Sequence, residues 1–174
     1  MVTYHPTEAY DMNNINLEVG GLTVDSVELT ATVTEINAVC DSSNSSETLT
    51  ATRTLTADES GKTFFLSAAT EFVTTLPALQ AGLKFSFICT AAPSGANYTI
   101  FTASGANIMK GQIYSVDVNS ATDPDFETSG GDTFSFVSAK AVAGDRVDMV
   151  CDGTNWFAYG FCSVFDALTI TTAA

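Results

Sequence analysis

The segment at 143–161, AGDRVDMVCDGTNWFAYGF, alternates apolar with polar or small residues on either side of a short cluster of turn residues. A period of two is typical of a strand that buries one face. The cluster DGTN includes Gly153, which can adopt a positive φ without steric cost and so favours a tight turn. We therefore predict a β-hairpin with strands at 146–151 and 155–161. The apolar positions of its first strand are Val147, Met149 and Cys151.

The second strand of this hairpin carries large apolar side chains on both faces. Trp156 is the only tryptophan in the chain and the largest candidate for the core. Three aromatic rings share the opposite face, which is more apolar surface than a monomer usually leaves in water. We expect a second layer to cover them; a subunit interface is the simpler cover, and a bound ligand is the alternative. The three residues are Phe157, Tyr159 and Phe161.

The same period of two runs through the chain from residue 48 onward, with turn signals between short apolar segments. Many short strands at such spacing are typical of sandwiches and barrels, and the βαβ alternation of a parallel sheet is missing from the pattern. We predict an all-β chain: an antiparallel β-sandwich or jelly-roll-like barrel with one short N-terminal helix and an extended N-terminal arm. The predicted strands cover 49–55, 63–66, 71–76, 84–89, 98–102, 113–118, 133–137, 146–151, 155–161 and 167–171.

Aromatic residues two positions apart mark the expected core. Burial of each such ring stabilises the fold by roughly 1.5–3 kcal/mol. Tyr159 is on the opposite face of its strand from Trp156, and we expect it to act as an anchor at an interface rather than in the core. The predicted core anchors are Phe85, Phe87, Phe134, Phe136 and Trp156.

The chain before residue 48 has a different character. Residues 1–21 show no periodicity, and we expect an arm that orders against another subunit or a larger assembly, or else a locally packed strand. Thr32 and Glu35 have the spacing of a capping box, in which each side chain satisfies a backbone N–H of the other residue. Ile36 then belongs to a helix of about two turns, which needs packing to be stable. We divide the chain into the arm (1–21), a short strand, helix and linker (22–47), and a β-sandwich domain (48–174).

The charge excludes several classes of function. With 20 acidic and 6 basic residues the formal net charge is −14, which opposes binding to nucleic acid and to anionic membranes. No apolar run reaches the roughly 18 residues of a membrane span, and the first ten residues do not have the pattern of a signal peptide. We expect a soluble protein without nucleic-acid or membrane partners.

Residues that could carry chemistry are sparse. His5 is the only histidine, and nothing places it beside a nucleophile, so we predict no catalytic residues and no zinc site. The four cysteines are widely spaced, which favours buried free thiols in a reducing cytosol, with one disulfide as the alternative. No cofactor-binding motif is present, and we predict no cofactor.

An acidic stretch at 117–132 is the one weak candidate for a metal. Closely spaced carboxylates in a loop can bind Ca²⁺, but the spacing differs from that of an EF-hand, and Pro124 with the nearby glycines favours a solvated loop. We therefore predict no metal. The calcium candidates are Asp123, Asp125, Glu127 and Asp132.

Three segments together resemble virion proteins of tailed bacteriophages, namely capsid decoration (cement) proteins and head or tail fibre modules. LTATVTEIN at 29–37 is similar to the T-A-x-E-L-N element that precedes their β-domains, with Ile36 where leucine is usual. TTLPALQAGLKFSF at 74–87 is similar to their T-L-P…G-x-x-F-x-F run. The hairpin at 144–156 is similar to their G-D-x-V…D-G-T-N-W ending. The resemblance spans most of residues 22–161 and leaves 1–21 and 162–174 unmatched.

This resemblance implies a non-enzymatic structural protein of the virion, a homotrimer on the outer capsid surface that is assembled in the host cytoplasm and binds the major capsid protein. The alternative is a receptor-binding or carbohydrate-binding fibre or tail module that recognises a host surface glycan. An enzyme acting on polysaccharide lacks any candidate site. On the first reading, the arm and the short helix would contact the capsid or a neighbouring subunit through Tyr4, His5, Tyr10, Thr32, Glu35 and Ile36.

Overall fold

The computed structural model describes residues 23–24, 27–28, 36, 40, 42–68, 70, 72–117 and 125–172, without the side chains of 23–24, 27–28, 42 and 125–129. The chain divides into two units, Met1–Cys40 and Asp41–Ala174. In the first unit, β1 (Thr23–Val24) pairs antiparallel with β2 (Val27–Glu28), and Ile36 and Cys40 have helical backbone. The predicted arm at 1–21 and the predicted capping pair, Thr32 and Glu35, lie outside the described residues.

The second unit consists of short strands joined by turns and two 3-10 helices. The predicted segments 63–66, 84–89 and 146–151 form strands with those same bounds. The 3-10 helices are Ser42–Ser45 and Ala57–Glu59. The strands are β3 (Ser46–Leu49), β4 (Arg53–Thr54), β5 (Thr63–Leu66), β6 (Phe72–Thr75), β7 (Lys84–Cys89), β8 (Tyr98–Phe101), β9 (Met109–Ser115), β10 (Asp125–Gly131), β11 (Thr133–Phe136), β12 (Arg146–Cys151), β13 (Trp156–Cys162) and β14 (Leu168–Thr171).

These strands form two sheets, which confirms the all-β class. The seven-stranded sheet has the order β10-β9-β13-β12-β7-β5-β3, and the five-stranded sheet has the order β14-β11-β8-β6-β4. One core cluster contains buried residues from both sheets. The sheets touch at Gly160 of β13, where a Cβ atom would lie 3.2 Å from atoms of Phe134 and Leu168 in the five-stranded sheet.

The prediction of a purely antiparallel fold is wrong, because both sheets are mixed. From β3 to β8, successive strands alternate between the two sheets, so β3, β5 and β7 run parallel in one sheet while β4, β6 and β8 run parallel in the other. A parallel neighbour requires a crossover, and here each crossover is a strand of the opposite sheet. The helices that usually signal a parallel sheet in a sequence are therefore not needed.

The C-terminal hairpin has the predicted form. β12 pairs antiparallel with β13, and Gly153 in the turn has a φ of 94°. The Asp152 carboxylate accepts the backbone N–H groups of Thr154 and Asn155, both at 2.7 Å. These hydrogen bonds lower the pKa of Asp152, because they favour its charged form.

Two predicted segments differ from the structure, and in both the pairing of strands explains the difference. The segment 49–55 is not one strand: β3 and β4 lie in different sheets, and the chain turns between them. The acidic segment, predicted as a loop, contains β10, which pairs antiparallel with β9. Its residues have low strand propensity, so the pairing with β9 outweighs local preference.

We expect Gly111→Ala to destabilise the protein severely. Gly111 lies in β9 opposite Ala158 of β13, and a Cβ there would be 1.8 Å from the Ala158 carbonyl oxygen. The two strands must separate to accept it, which should lower the free energy of unfolding by at least about 3 kcal/mol. Thermal and urea denaturation measure this loss.

Gly105→Ala is the matched control, because a Cβ at Gly105 meets no atom within 4 Å. Its stability should stay within about 1 kcal/mol of the wild type. Equal stabilities of the two variants would contradict the close approach of β9 to β13.

Candidate functional site

The face of the seven-stranded sheet that points away from the core is the candidate site. On four adjacent strands, residues that alternate with buried ones form three cross-strand rows. We call these twelve residues the outer face. In the order β9, β13, β12 and β7, the rows are Tyr114–Phe161–Arg146–Ile88, Gln112–Tyr159–Asp148–Ser86 and Lys110–Phe157–Val150–Lys84.

Aromatic rings dominate the β13 side of the outer face. Tyr114, Tyr159 and Phe161 are 44%, 43% and 47% exposed, whereas Trp156 on the opposite side of β13 is completely buried. Phe157 is half-buried. Of the three rings whose cover we expected from the sequence, the described residues leave Tyr159 and Phe161 exposed.

The rings of the first row stand side by side. Tyr114 and Phe161 are stacked, with ring centroids 5.6 Å apart and an interplanar angle of 19°. The guanidinium carbon of Arg146 lies over the Phe161 ring, 5.7 Å from its centroid. Phe161 therefore makes a stacking contact on one neighbouring strand and a cation–π contact on the other, while 47% of it stays exposed.

Polar groups tie the first row to the second. The Arg146 guanidinium forms an ion pair with Asp148, and the Ser86 hydroxyl donates to the same carboxylate at 2.7 Å. The Tyr114 hydroxyl donates to the side-chain oxygen of Gln112. These contacts fix the orientation of Tyr114 and Arg146 before any partner binds.

The outer face is locally basic. Lys84, Lys110 and Arg146 are three of the six basic residues in a chain with a net charge of −14. Asp148 is the one acidic residue among the twelve positions. The charge of this surface therefore has the opposite sign to that of the protein as a whole.

The predicted site residues are divided between the core, the outer face and the first unit. Tyr159 lies on the outer face, separate from the other aromatic anchors. Ile36 is half-buried in the first unit, while Tyr4, His5, Tyr10, Thr32 and Glu35 lie outside the described residues. The anchors Phe85, Phe87, Phe134, Phe136 and Trp156 are all buried in the core.

The acidic stretch does not assemble a metal site in the described part of the chain, where no group of three or more His, Cys, Asp or Glu side chains could hold a metal ion. Asp132 is completely buried between β10 and β11. Its Oδ1 accepts the Thr102 hydroxyl at 3.3 Å. Asp125 and Glu127 lie on β10, whose side chains are not described there, and Asp123 lies outside the described residues.

A second buried carboxylate, Asp145, joins three strands of the sheet. Its Oδ1 accepts the backbone N–H of Ser163 at 2.9 Å, after the end of β13. Its Oδ2 accepts the backbone N–H of Val142 at 2.9 Å, and its carbonyl oxygen accepts the N–H of Cys89 at 2.8 Å, at the end of β7. Burial, with Asp145 nearby, raises the pKa of the Cys89 thiol to about 11.

A charged cluster lies at the β3 end of the same sheet. Arg53 forms ion pairs with Glu47 and Glu59, and Lys62 lies 3.5 Å from Glu59. Glu59 also accepts the backbone N–H of Thr56 at 2.9 Å. Burial alone would raise the pKa of Glu59, but the Thr56 hydrogen bond and the charges of Arg53 and Lys62 lower it.

Sequence reasoning missed the charged cluster, Asp145 and the basic residues of the outer face. The cluster joins separated segments and gives no local signal. Lys84 and Arg146 could have been predicted from the sequence. Each begins a strand and lies on the face opposite its buried neighbours. The pairing of β13 with β9, which adds Lys110, depends on the fold.

Comparison with protein-family models, with curated proteins and with solved structures finds no match for this chain. Within the described residues, no helix combines the length and apolar character needed to cross a membrane.

We expect one cysteine to react rapidly with a thiol reagent such as DTNB at mildly alkaline pH. Cys40 is exposed, while Cys89, Cys151 and Cys162 are buried. Only the thiolate reacts, and burial keeps the reagent from the other three thiols. Absorbance should show one fast thiol in the native protein and three more after denaturation.

Cys40→Ser is the control and should abolish the fast phase. A second fast thiol in the native protein would contradict the burial of the other three.

We expect Glu59→Gln to lower the free energy of unfolding at pH 7 by about 1–3 kcal/mol, because it removes a charged hydrogen-bond acceptor from the cluster. The native pKa of Glu59 is lowered from its ordinary value of 4.5. Its stabilisation is therefore complete above the ordinary pKa and is lost as the pH falls through the lowered native pKa.

Urea denaturation at several pH values measures this loss. The variant should be less stable at pH 7 and should lose less stability than the wild type on acidification. Asp58→Asn, at an exposed neighbouring position, should change stability by less than about 0.5 kcal/mol. Identical acid profiles for Glu59→Gln and the wild type would contradict the role of Glu59.

Proposed function

We propose that this chain is a non-enzymatic structural protein of a bacteriophage virion. Specifically, it is a capsid decoration (cement) protein that forms a homotrimer on the outer capsid surface. Its two sheets are proposed to form a β-sandwich whose seven-stranded layer presents the outer face. The resemblance at 29–37, 74–87 and 144–156 supports the virion role, and the geometry of the outer face supports the mode of action.

The observation that carries this proposal is the arrangement of the first row. Phe161 is 47% exposed, yet its ring contacts Tyr114 on one neighbouring strand and Arg146 on the other. A ring presented between fixed neighbours can enter a pocket on a protein surface. Tyrosine and arginine are also among the residues that most often dominate the affinity of protein interfaces.

The same arrangement favours a protein partner over a host glycan. A sugar ring stacks its C–H groups on the electron-rich face of an aromatic ring, and at Phe161 the ring already contacts Tyr114 and Arg146. The alternative function, a receptor-binding or carbohydrate-binding module, therefore has weaker support at this row.

The proposed mechanism follows from these parts. The segment before residue 48 attaches the protein to the major capsid protein where capsid subunits meet. The β-domains associate through the outer face and bridge those subunits, so that separating them also requires breaking this added interface. The acidic remainder of the surface keeps particles apart in solution.

We expect the purified protein to sediment with capsids from which it has been stripped, and to raise the temperature at which they release DNA. Phe161→Ser should weaken this binding at least about tenfold. Loss of this aromatic side chain weakens the contact between β-domains, and the avidity that this contact adds to capsid binding is then lost. Co-sedimentation at several protein concentrations measures the change.

Leu79→Ser is the matched control, since Leu79 is a large exposed apolar residue outside the twelve positions of the outer face. It should bind like the wild type. Failure of the wild type to bind stripped capsids, together with binding to a glycan array, would overturn the proposal in favour of the receptor-binding alternative.

A further inference from the structure

We propose that the buried carboxylate of Asp132 and the loop between β8 and β9 together bind a monovalent cation of the size of Na⁺. This site lies within the second unit and does not depend on the proposed function. It differs from a calcium site built on the acidic stretch, because its donors are one carboxylate and neutral oxygens rather than three or more acidic side chains.

Asp132 is a buried carboxylate without a basic partner. It is completely buried, and its Oδ2 has no hydrogen-bond partner among the described residues. All six lysines and arginines of the chain lie at described positions, and none of their ion pairs involves Asp132. Buried charges in proteins are normally paired or bound to a metal ion. The carboxylate therefore points to a cation.

The Thr102 hydroxyl lies between two other oxygens. Its Oγ1 is 3.3 Å from Oδ1 of Asp132 and 3.5 Å from the carbonyl oxygen of Ser104. Hydrogen bonds between a hydroxyl and an oxygen are usually about 2.5–3.0 Å long. Two oxygens that bind one cation at about 2.4 Å, at right angles to each other, lie about 3.4 Å apart. The observed spacings therefore fit coordination of a shared cation better than hydrogen bonding.

The backbone fixes both ends of this loop against the segment that carries Asp132. The Thr102 N–H donates to the Asp132 carbonyl at 3.0 Å, and the Asp132 N–H donates to the Thr171 carbonyl at 2.9 Å. At the other end of the loop, Asn107 has a φ of 54°, and a Cβ on Gly130 would lie 2.1 Å from the Asn107 carbonyl oxygen. The Asn107 Oδ1 is buried and has no partner within the described part of the chain, so it is available as a further ligand.

Charge and size select the cation. The donors carry one formal negative charge, that of Asp132, so a monovalent ion leaves the buried site neutral. Ca²⁺ is nearly the same size as Na⁺ but would leave an uncompensated positive charge in the interior, which is costly. K⁺ is larger and requires wider spacing of the oxygens. A bound ion would join the connection from β8 to β9 with that from β10 to β11, and both connections run between the two sheets.

The test compares urea unfolding of the full chain in NaCl, KCl and choline chloride at equal ionic strength, so that charge screening is the same in each. For a Kd of about 20 mM, Na⁺ at about 0.2 M raises the ratio of folded to unfolded protein about tenfold. We expect this gain in NaCl relative to choline chloride, and a smaller gain in KCl. Broadening of the sodium NMR signal by the folded protein reports binding directly.

Asp132→Asn removes the charge with little change of shape, and it should abolish both the Na⁺ gain and the line broadening. In choline chloride this variant should be at least as stable as the wild type, because its buried site carries no uncompensated charge. A purely structural role of the carboxylate would instead make the variant less stable in every salt. Thr102→Val removes one oxygen and should weaken Na⁺ binding at least about tenfold, which keeps the proposal testable if Asp132→Asn does not fold. Asp58→Asn, at an exposed position, is the matched control and should keep the full gain.

The inference is overturned if NaCl gives no gain over choline chloride, if KCl matches NaCl, or if the Na⁺ gain survives in Asp132→Asn. It is also overturned if Ca²⁺ stabilises the wild type through Asp132 at concentrations far below those of Na⁺, since the site would then take a divalent ion.

Discussion

The fold of the second unit depends on the parallel contact between β9 and β13, which the missing side chain of Gly111 allows. β13 lies between β9 and β12, so its register aligns the strands on both sides. A shift by one residue would exchange the two faces of β13. Trp156 would then lie in solvent and Tyr159 in the core. The close approach at Gly111 is therefore a condition for both the core and the outer face.

Alternation of residue type was enough to predict much of this architecture. The hairpin at 146–161, the burial of Trp156 and the uncovered rings opposite it follow from a period of two and one turn, which are local properties. Strand order is not local. Nothing near β5 indicates that its neighbours are β3 and β7 rather than β4 and β6, because a strand buried by another sheet has the same pattern whichever strands flank it.

The candidate site was predictable only in part, for the same reason. Phe157, Tyr159 and Phe161 follow from their own strand, but the stacking contact of Phe161 requires Tyr114, which lies 47 positions earlier in the chain. Asp145 is a comparable case. Its carboxylate accepts the local N–H of Val142, but its second partner, Ser163, becomes visible only when the ends of β12 and β13 are placed together. In both cases the functional character belongs to an arrangement of residues rather than to a motif.

The position of β13 also has a consequence for the order of folding. β3 to β8 can pair in sequence as the chain leaves the ribosome, since from β5 onward each new strand pairs with the strand two before it. β9 and β10 pair with each other, but β9 has no other neighbour in its sheet until β13 arrives. The seven-stranded sheet thus remains in two pieces until residues 156–162 have been synthesised. A chain truncated before them would expose two open sheet edges, which are sites of aggregation. Completion of the sheet therefore waits for β13.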